Sequence, residues 1–310
     1  MAPTFGARTT ADEVLEGRDL SGQNMLVTGG NAGIGFETAR ALAAHGARVF
    51  VACRTRDKAE ETSARIRAAH PRAQLSPVAL DLSSFASVRQ SVSSVDVDAL
   101  HVLVCNAGLY MGQYQATADG LESTVGVCHF GHFLLTTLLL DKLRSAAPAR
   151  VVVVSSESHR YPARLDLERF PLAAAQFNSL VAYGQAKLAN VLFANELTRR
   201  YREAGVVANS LHPGSMIGTS IFRNSLSAKL LGLAVRPFTK SIEQGAATTV
   251  YCATASELST TGGQYFRDCQ PHSMSRGARD SELAMRLWER TAQVVGETAA
   301  AAAEQAAPTA

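Results

Sequence analysis

The sequence has almost no charge imbalance: 30 lysines and arginines against 27 aspartates and glutamates leave a formal +3 over 310 residues. So small a surplus gives no electrostatic footing for nucleic acid or anionic lipid. Long apolar runs are missing too. The stretch Phe133 to Leu140, FLLTTLLL, stops far short of the roughly 20 residues that a membrane helix needs. The N-terminus has no apolar signal core, so a cytoplasmic chain without a transmembrane segment is expected. Cysteine is scarce and scattered. Cys53, Cys105, Cys128, Cys252 and Cys269 show no C-x-x-C spacing, which suggests neither a metal site nor a disulfide framework. They read as buried free thiols in a reducing compartment. Aromatics make up only 6%, so the core must come from Ala, Val and Leu within a 46% apolar content that suits a globular chain.

What is present is an alternation. Met25 to Val27 is a short apolar run that ends in TGGNAGIG, Thr28 to Gly35, and passes into a helical pattern from Phe36 to His45 that stops at Gly46. Arg48 to Ala52 reads as a buried strand, Asp57 to His70 as a charged helix stopped by Pro71, and Leu75 to Leu80 as a third strand before a helix from about Ser84. Leu100 to Cys105, Arg150 to Val154 and Val206 to Leu211 continue the series. Helices are predicted between them over about 121–143 and 181–204, and another from about Ser241 to Ala255. Continuous β-branched strands separated by helices indicate a parallel sheet covered on both faces, an α/β doubly wound fold of Rossmann type. The length allows one large domain. From Ser215 to Lys240 the pattern turns irregular and apolar, with Leu226, Leu230, Leu231, Leu233 and Phe238, and reads as a mobile helical cover over a substrate pocket. Residues 1–18 read as an N-terminal extension, 19–298 as the domain, and the Ala-rich 299–310 as a disordered tail.

The spacing Gly29, Gly33, Gly35 puts residues without Cβ atoms where a chain turns from strand to helix and a pyrophosphate approaches its backbone. Asn31 and Ile34 belong to the same turn. The helix N-terminus beyond it offers free N–H groups and partial positive charge to an anion. At the end of the second strand an acid would favour the ribose of NAD, whereas an arginine favours the extra phosphate of NADP. Arg54 stands there, followed by Arg56 and Lys58, and the first acid, Asp57, lies beyond the strand end. NADP(H) is therefore expected in preference to NAD(H).

Tyr183 and Lys187 are four residues apart in a predicted helix and so share a face. A phenol holds its proton firmly near neutrality. A neighbouring ammonium, helped by an oxidised nicotinamide, favours the phenolate, so Tyr183 could exchange a proton with an alcohol or carbonyl oxygen. Lys187 would also hold the nicotinamide ribose. Ser155 and Ser156 follow the fifth strand at the carboxyl edge of the sheet, where a hydroxyl can stabilise charge on a substrate oxygen. Chain order does not choose between these two serines.

These residues resemble the short-chain dehydrogenase/reductase superfamily over about Asp19 to Phe266. The ordered marks are TGGNAGIG (28–35), LDLSS (80–84), CNAG (105–108), YGQAK (183–187) and HPG (212–214). GRDLSG (17–22), LHVLVCNA (100–107), PARVVVVSSESHR (148–160) and RPFTKSIEQGAATTVYCA (236–253) resemble its retinol-dehydrogenase-like branch, in particular members that also carry WW modules. Such modules would precede Gly17, and the only tryptophan is Trp288, so none is expected here. The resemblance implies Tyr183 as acid/base, Lys187 as its activator and Ser156 as the serine that holds substrate. It also implies Asp81 and Leu82 at the adenine, Asn106 with Ala107 and Gly108 along the cofactor, and Pro213 and Gly214 beside the nicotinamide. The 26 residues between Ser156 and Tyr183 are expected to help shape an apolar pocket.

One departure stands out. Where the family pattern has Asn-His-x-Gly-His-Phe, this chain has Cys128-His-Phe-Gly-His-Phe133. In related enzymes the asparagine supports a water relay to the lysine, largely through its backbone carbonyl at a helix irregularity. Cysteine keeps the carbonyl but not the amide hydrogen bonds, so reduced turnover is expected. His129 and His132 read as helix packing. The leading expectation is an NADP-dependent carbonyl reductase or alcohol dehydrogenase for a hydrophobic small molecule, retinoid- or steroid-like by resemblance alone. The alternatives are a catalytically weakened nucleotide-binding regulatory protein and reduction of a conjugated double bond. A homo-oligomer formed through helices is a further expectation.

Overall fold

A computed structural model describes residues 5–214 and 240–306, with side chains as far as residue 296. Among the described residues eight strands form one sheet: β1 Asn24–Thr28, β2 Arg48–Cys53, β3 Gln74–Ala79, β4 Val102–Cys105, β5 Ala149–Val154, β6 Val206–His212, β7 Tyr265–Arg267 and β8 Gln270–Pro271. Their order is β3-β2-β1-β4-β5-β6-β7-β8, parallel throughout except for the antiparallel β7–β8 pair at one edge. β4 is buried at every position and β1 at all but its first, as sheets covered on both faces require. Val27 pairs with Val51 on one side and Val104 on the other, so β1 is where the chain order reverses. That reversal leaves a crevice at the carboxyl ends of the strands.

The helices are α1 Ala11–Leu15, α2 Gly33–Ala44, α3 Arg56–Ala69, α4 Phe85–Ser91, α5 Ser123–Val125, α6 Gly131–Leu138, α7 Leu140–Ser145, α8 Ser179–Tyr201, α9 Ile242–Thr254 and α10 Ser281–Ala306. Polar caps fix several of them. Thr55 accepts from Lys58 N at the start of α3, and Ser241 with Gln244 forms a capping box at α9. The other end of α9 is held by two arginines, Arg150 donating to Ala253 O (2.7 Å) and Arg18 to Thr254 O (2.9 Å), which satisfies carbonyls that a helix end leaves open.

Beyond the sheet, α10 lays the Trp288 ring edge-on to Phe133 (4.7 Å) and stacked on Phe193 (5.8 Å). The Arg200 guanidinium covers the same indole at 4.9 Å. The flank of α6 and α8 is thus packed from within the chain.

Two expectations need correction. The helix predicted over 121–143 is not continuous: α5 passes into a π-helical turn, Gly126–Phe130, before α6, and α7 follows a break at Leu139. The expected tail from residue 299 is helical as far as Ala306, because its alanines extend α10 without a breaker before Pro308. The cover predicted over 215–240, with Leu226, Leu230, Leu231, Leu233 and Phe238, lies outside the described residues apart from Lys240. Among the described residues no helix is long and apolar enough to cross a membrane.

Candidate active site

The glycine turn takes its shape from backbone demands. Gly29 has φ +67° and Gly33 φ +56°, values that side chains disfavour. A Cβ on Gly29 would lie 2.9 Å from Ala107 Cα, and one on Gly35 would run into Gly29 O and the Asn106 amide. The first helical residue of α2 is Gly33, and its N-cap, Ala32, makes no side-chain capping bond. The first N–H groups of α2 are therefore left for an anion.

Thr28 ties this turn to the CNAG segment. Its Oγ1 accepts from Asn106 N and Ala107 N, both at 3.0 Å, while Asn106 Nδ2 donates to Thr28 O at 2.8 Å. Thr28 Oγ1 also lies 2.8 Å from His132 Nε2, and His132 Nδ1 lies 3.1 Å from Cys128 O. Burial pushes the His132 pKa down to about 4, against the bond to Cys128 O, so the ring is neutral at pH 7. A neutral ring that meets a carbonyl through Nδ1 carries its proton there. Nε2 is then an acceptor for the Thr28 hydroxyl, with Val104 O at 3.2 Å as the alternative.

A cleft of about 530 Å³ opens over these groups. Gly29, Asn31, Gly33, Ile34 and Gly35 line it at the turn, Asp81 and Leu82 beyond β3, and Asn106, Ala107 and Gly108 beyond β4. Arg54 and Lys58 border the end beyond β2, whereas Arg56 turns to Glu60 (2.7 Å) and Pro77 O (3.1 Å). Tyr183, Lys187 and Pro213 line the other end. Gly214 (φ +104°) is not part of the lining and packs on the Lys240 side chain. Leu109, Val127 and Ile242 also line the cleft and were not singled out in the sequence. The geometry suits a nicotinamide dinucleotide: a side-chain-free turn and open N–H groups for a pyrophosphate, with cations at one end and a tyrosine–lysine pair at the other.

α8 starts at Asn178, whose Oδ1 accepts from Leu180 N and Val181 N at 3.1 Å. One turn in stands Tyr183, and one turn further Lys187, only 4% exposed, with Nζ 5.4 Å from the Tyr183 ring centroid. Lys187 Nζ donates to Val154 O at 3.1 Å. The two serines differ. Ser155 is buried and its Oγ donates to Lys187 O at 2.7 Å, while Ser156 is half-buried and its Oγ accepts from Ser158 N at 3.2 Å. Ser155, not Ser156, borders the cofactor cleft. Cys128 sits in the π-helical turn with its thiol on Leu109 O at 3.8 Å. A Cβ on Gly108 would lie 3.4 Å from Cys128 Sγ and 3.5 Å from Lys187 Nζ, so both groups converge on that glycine.

The family model for short chain dehydrogenases matches residues 23–166. The WW domain-containing oxidoreductase of Danio rerio is 48% identical over 94% of this chain and 73% of its own length. The chain belongs to the short-chain dehydrogenase family. Retinol dehydrogenase 12 of Mus musculus is 42% identical over 89% of the chain and 87% of its own. Among solved structures, an uncharacterized protein from Mycobacterium paratuberculosis superimposes with a TM-score of 0.74 at 32% identity, covering 93% of this chain and 98% of that one. The Pseudomonas aeruginosa RhlG/NADP active-site complex gives 0.62 at 26% identity over 80% and 94%. As a short-chain dehydrogenase/reductase, the protein is an NAD(P)-dependent oxidoreductase acting on CH–OH groups.

Several residues of this dehydrogenase that touch the site carried no sequence signal. His159, fully buried, sets Nδ1 2.7 Å from Ser156 O and accepts from Ser275 N on Nε2 (3.2 Å), joining the serine turn to the segment after β8. Its partner is 116 residues away, which no local pattern reveals. Tyr110 lies edge-on to Tyr183 at 5.7 Å, and Tyr114 edge-on to Phe177 at 5.8 Å. His129, by contrast, packs as the sequence suggests: it is ringed by Phe130, Phe170 and Phe193 and bonded to Thr291 (2.9 Å), and burial takes its pKa down to about 3.

Proposed function

We propose that the protein is an NADP(H)-preferring carbonyl reductase or alcohol dehydrogenase for a hydrophobic, retinoid- or steroid-like alcohol, aldehyde or ketone. The observation that carries this reading is the meeting of Tyr183 and Lys187 with the glycine turn in one cleft. Bound there, a nicotinamide dinucleotide supplies or takes up the hydride. Tyr183 holds the proton that goes to, or comes from, the substrate oxygen. Lys187, anchored on Val154 O, keeps positive charge beside the phenol and favours its ionised form. Ser156 is the serine assigned to the substrate oxygen, because the Ser155 hydroxyl already serves the α8 backbone. The cations Arg54 and Lys58 support a preference for the cofactor with the additional phosphate.

The test is steady-state oxidation of NADPH and of NADH against a panel of apolar aldehydes and ketones. Higher kcat/KM with NADPH is expected, and a clear preference for NADH contradicts the cofactor assignment. A second reading, a nucleotide-binding regulator with weakened chemistry, is favoured by Cys128, whose thiol rests on Leu109 O and whose carbonyl receives the His132 N–H. Cys128→Asn separates the two: a marked gain in kcat supports the relay and a slowed enzyme. Cofactor binding with no turnover that depends on Tyr183 supports the regulator.

A further inference from the structure

We propose that Tyr110 is a positioning residue for the catalytic phenol, fixing the direction from which Tyr183 meets the substrate oxygen. The proposal rests on the acid/base reading of Tyr183. Tyr110 belongs to the loop that leaves β4, five residues past Cys105, and its hydroxyl donates to Ser179 Oγ at 2.8 Å. Its ring meets the Tyr183 ring edge to face, with centroids 5.7 Å apart and planes at 72°. Ser179 and Tyr183 are four residues apart and share one face of α8, so Tyr110 spans the helix turn just before the phenol. One turn after it comes Lys187, with Nζ 5.4 Å from the same ring. The Tyr183 ring is therefore flanked by Tyr110 from the β4 loop and by Lys187 from the next turn of its own helix.

The Tyr183 hydroxyl lies at the far end of the ring axis, so small excursions of the first side-chain torsion swing it widely, and the neighbours that pack on the ring decide where it rests. Proton transfer needs that hydroxyl within tenths of an ångström of its productive place. A ring held only by its own helix would lack this definition. The loop bearing Tyr110 is fastened a second time, where Tyr114 packs edge-on to Phe177 two residues before Ser179 (5.8 Å, 80°). Both contacts link the β4 loop to the start of α8. The loop that borders the cofactor at Asn106 to Gly108 thus also braces the catalytic side chain.

The experiment compares Tyr110→Leu, Tyr110→Phe, Ser179→Ala and the double variant Tyr110→Phe/Ser179→Ala in the full chain, with Tyr183→Phe alongside. It measures kcat, substrate KM, NADPH Kd and the thermal midpoint. Tyr110→Leu should lower kcat about tenfold with NADPH Kd unchanged. Tyr110→Phe and Ser179→Ala should each lower kcat about threefold, and the double variant should be no slower than either, because one hydrogen bond is lost in all three. A folded Tyr110→Leu with unaltered kcat overturns the proposal. So do multiplying effects of the two single changes, or a loss of kcat matched by a loss of NADPH binding. If Tyr110→Leu does not fold, the three hydroxyl variants decide by the same criteria. Failure of the underlying reading looks different: Tyr183→Phe itself would then retain full turnover.

Discussion

The turn between β1 and α2 and the Tyr183–Lys187 face of α8 border one cleft but are held together by different means. The turn is eight contiguous residues, Thr28 to Gly35, and what matters in it is missing side chains: Gly29 and Gly33 at positive φ, Gly35 against the Gly29 carbonyl. The face is assembled across the chain. Lys187 leans on Val154, Tyr183 on Tyr110, Ser156 on His159, and Cys128 is aimed by a π-helical turn whose carbonyl meets His132. Backbone shape can be written into one short stretch of sequence. Placement of reactive groups needs contacts from several strands at once, and the packing behind them.

Trp288→Ala probes that packing. It removes the ring between Phe133 and Phe193 and should destabilise the fold by about 3–5 kcal/mol in urea unfolding, with substrate KM little changed at low temperature. A loss under 1 kcal/mol would mean that α10 is only loosely attached. Gly35→Ala probes the turn: the new methyl meets Gly29 O and Asn106 Nδ2, and NADPH Kd measured by fluorescence should rise about a hundredfold. Unchanged affinity would show that the turn yields, and that its glycines are not what admits the cofactor. Arg54→Glu should swing the NADPH to NADH ratio of kcat/KM by about tenfold towards NADH, since it replaces a cation at the cleft with an anion. An unmoved ratio would assign the preference to other residues.

A further effect is one of pH. Burial lowers the His132 pKa from the usual 6.5 to about 4, and the Cys128 carbonyl only partly opposes it. The folded value lies below the unfolded one, so between these pH values the unfolded chain carries more protons and stability falls as pH falls. This single group contributes a slope of up to about 1.4 kcal/mol per pH unit. His132→Gln should flatten the curve of urea midpoint against pH over that window. His129 and His212, also held low by burial, continue to contribute. An unaltered slope would place the titrating groups elsewhere.

How much of this was legible in the sequence follows the same division. The strand, glycine turn and helix were readable because their signal is local, and the doubly wound order followed from alternating strands and helices. Arg54 was found from its place at the end of the second strand, Asp81 and Asn106 from the family resemblance, and all three line the cleft. Tyr183 and Lys187 were readable as an i, i+4 pair. Chain order left Ser155 and Ser156 undivided and only the family resemblance chose Ser156; the bond of Ser155 Oγ to Lys187 O, 32 residues away, lies beyond any local pattern. Periodicity read 121–143 as one helix because it survives a π-turn of five residues, and only the family resemblance pointed to an irregularity at Cys128. Tyr110 and His159 escaped because a lone tyrosine or histidine in a loop acquires meaning only from partners that the fold delivers.

The most direct test is Tyr183→Phe, with turnover and NADPH affinity measured on the same preparation. The ring, its contact with Tyr110 and the lysine beside it are kept, and only the hydroxyl that carries the exchangeable proton is lost. NADPH Kd should be unchanged while kcat falls by about a hundredfold or more. Turnover equal to that of the unaltered protein would contradict the account.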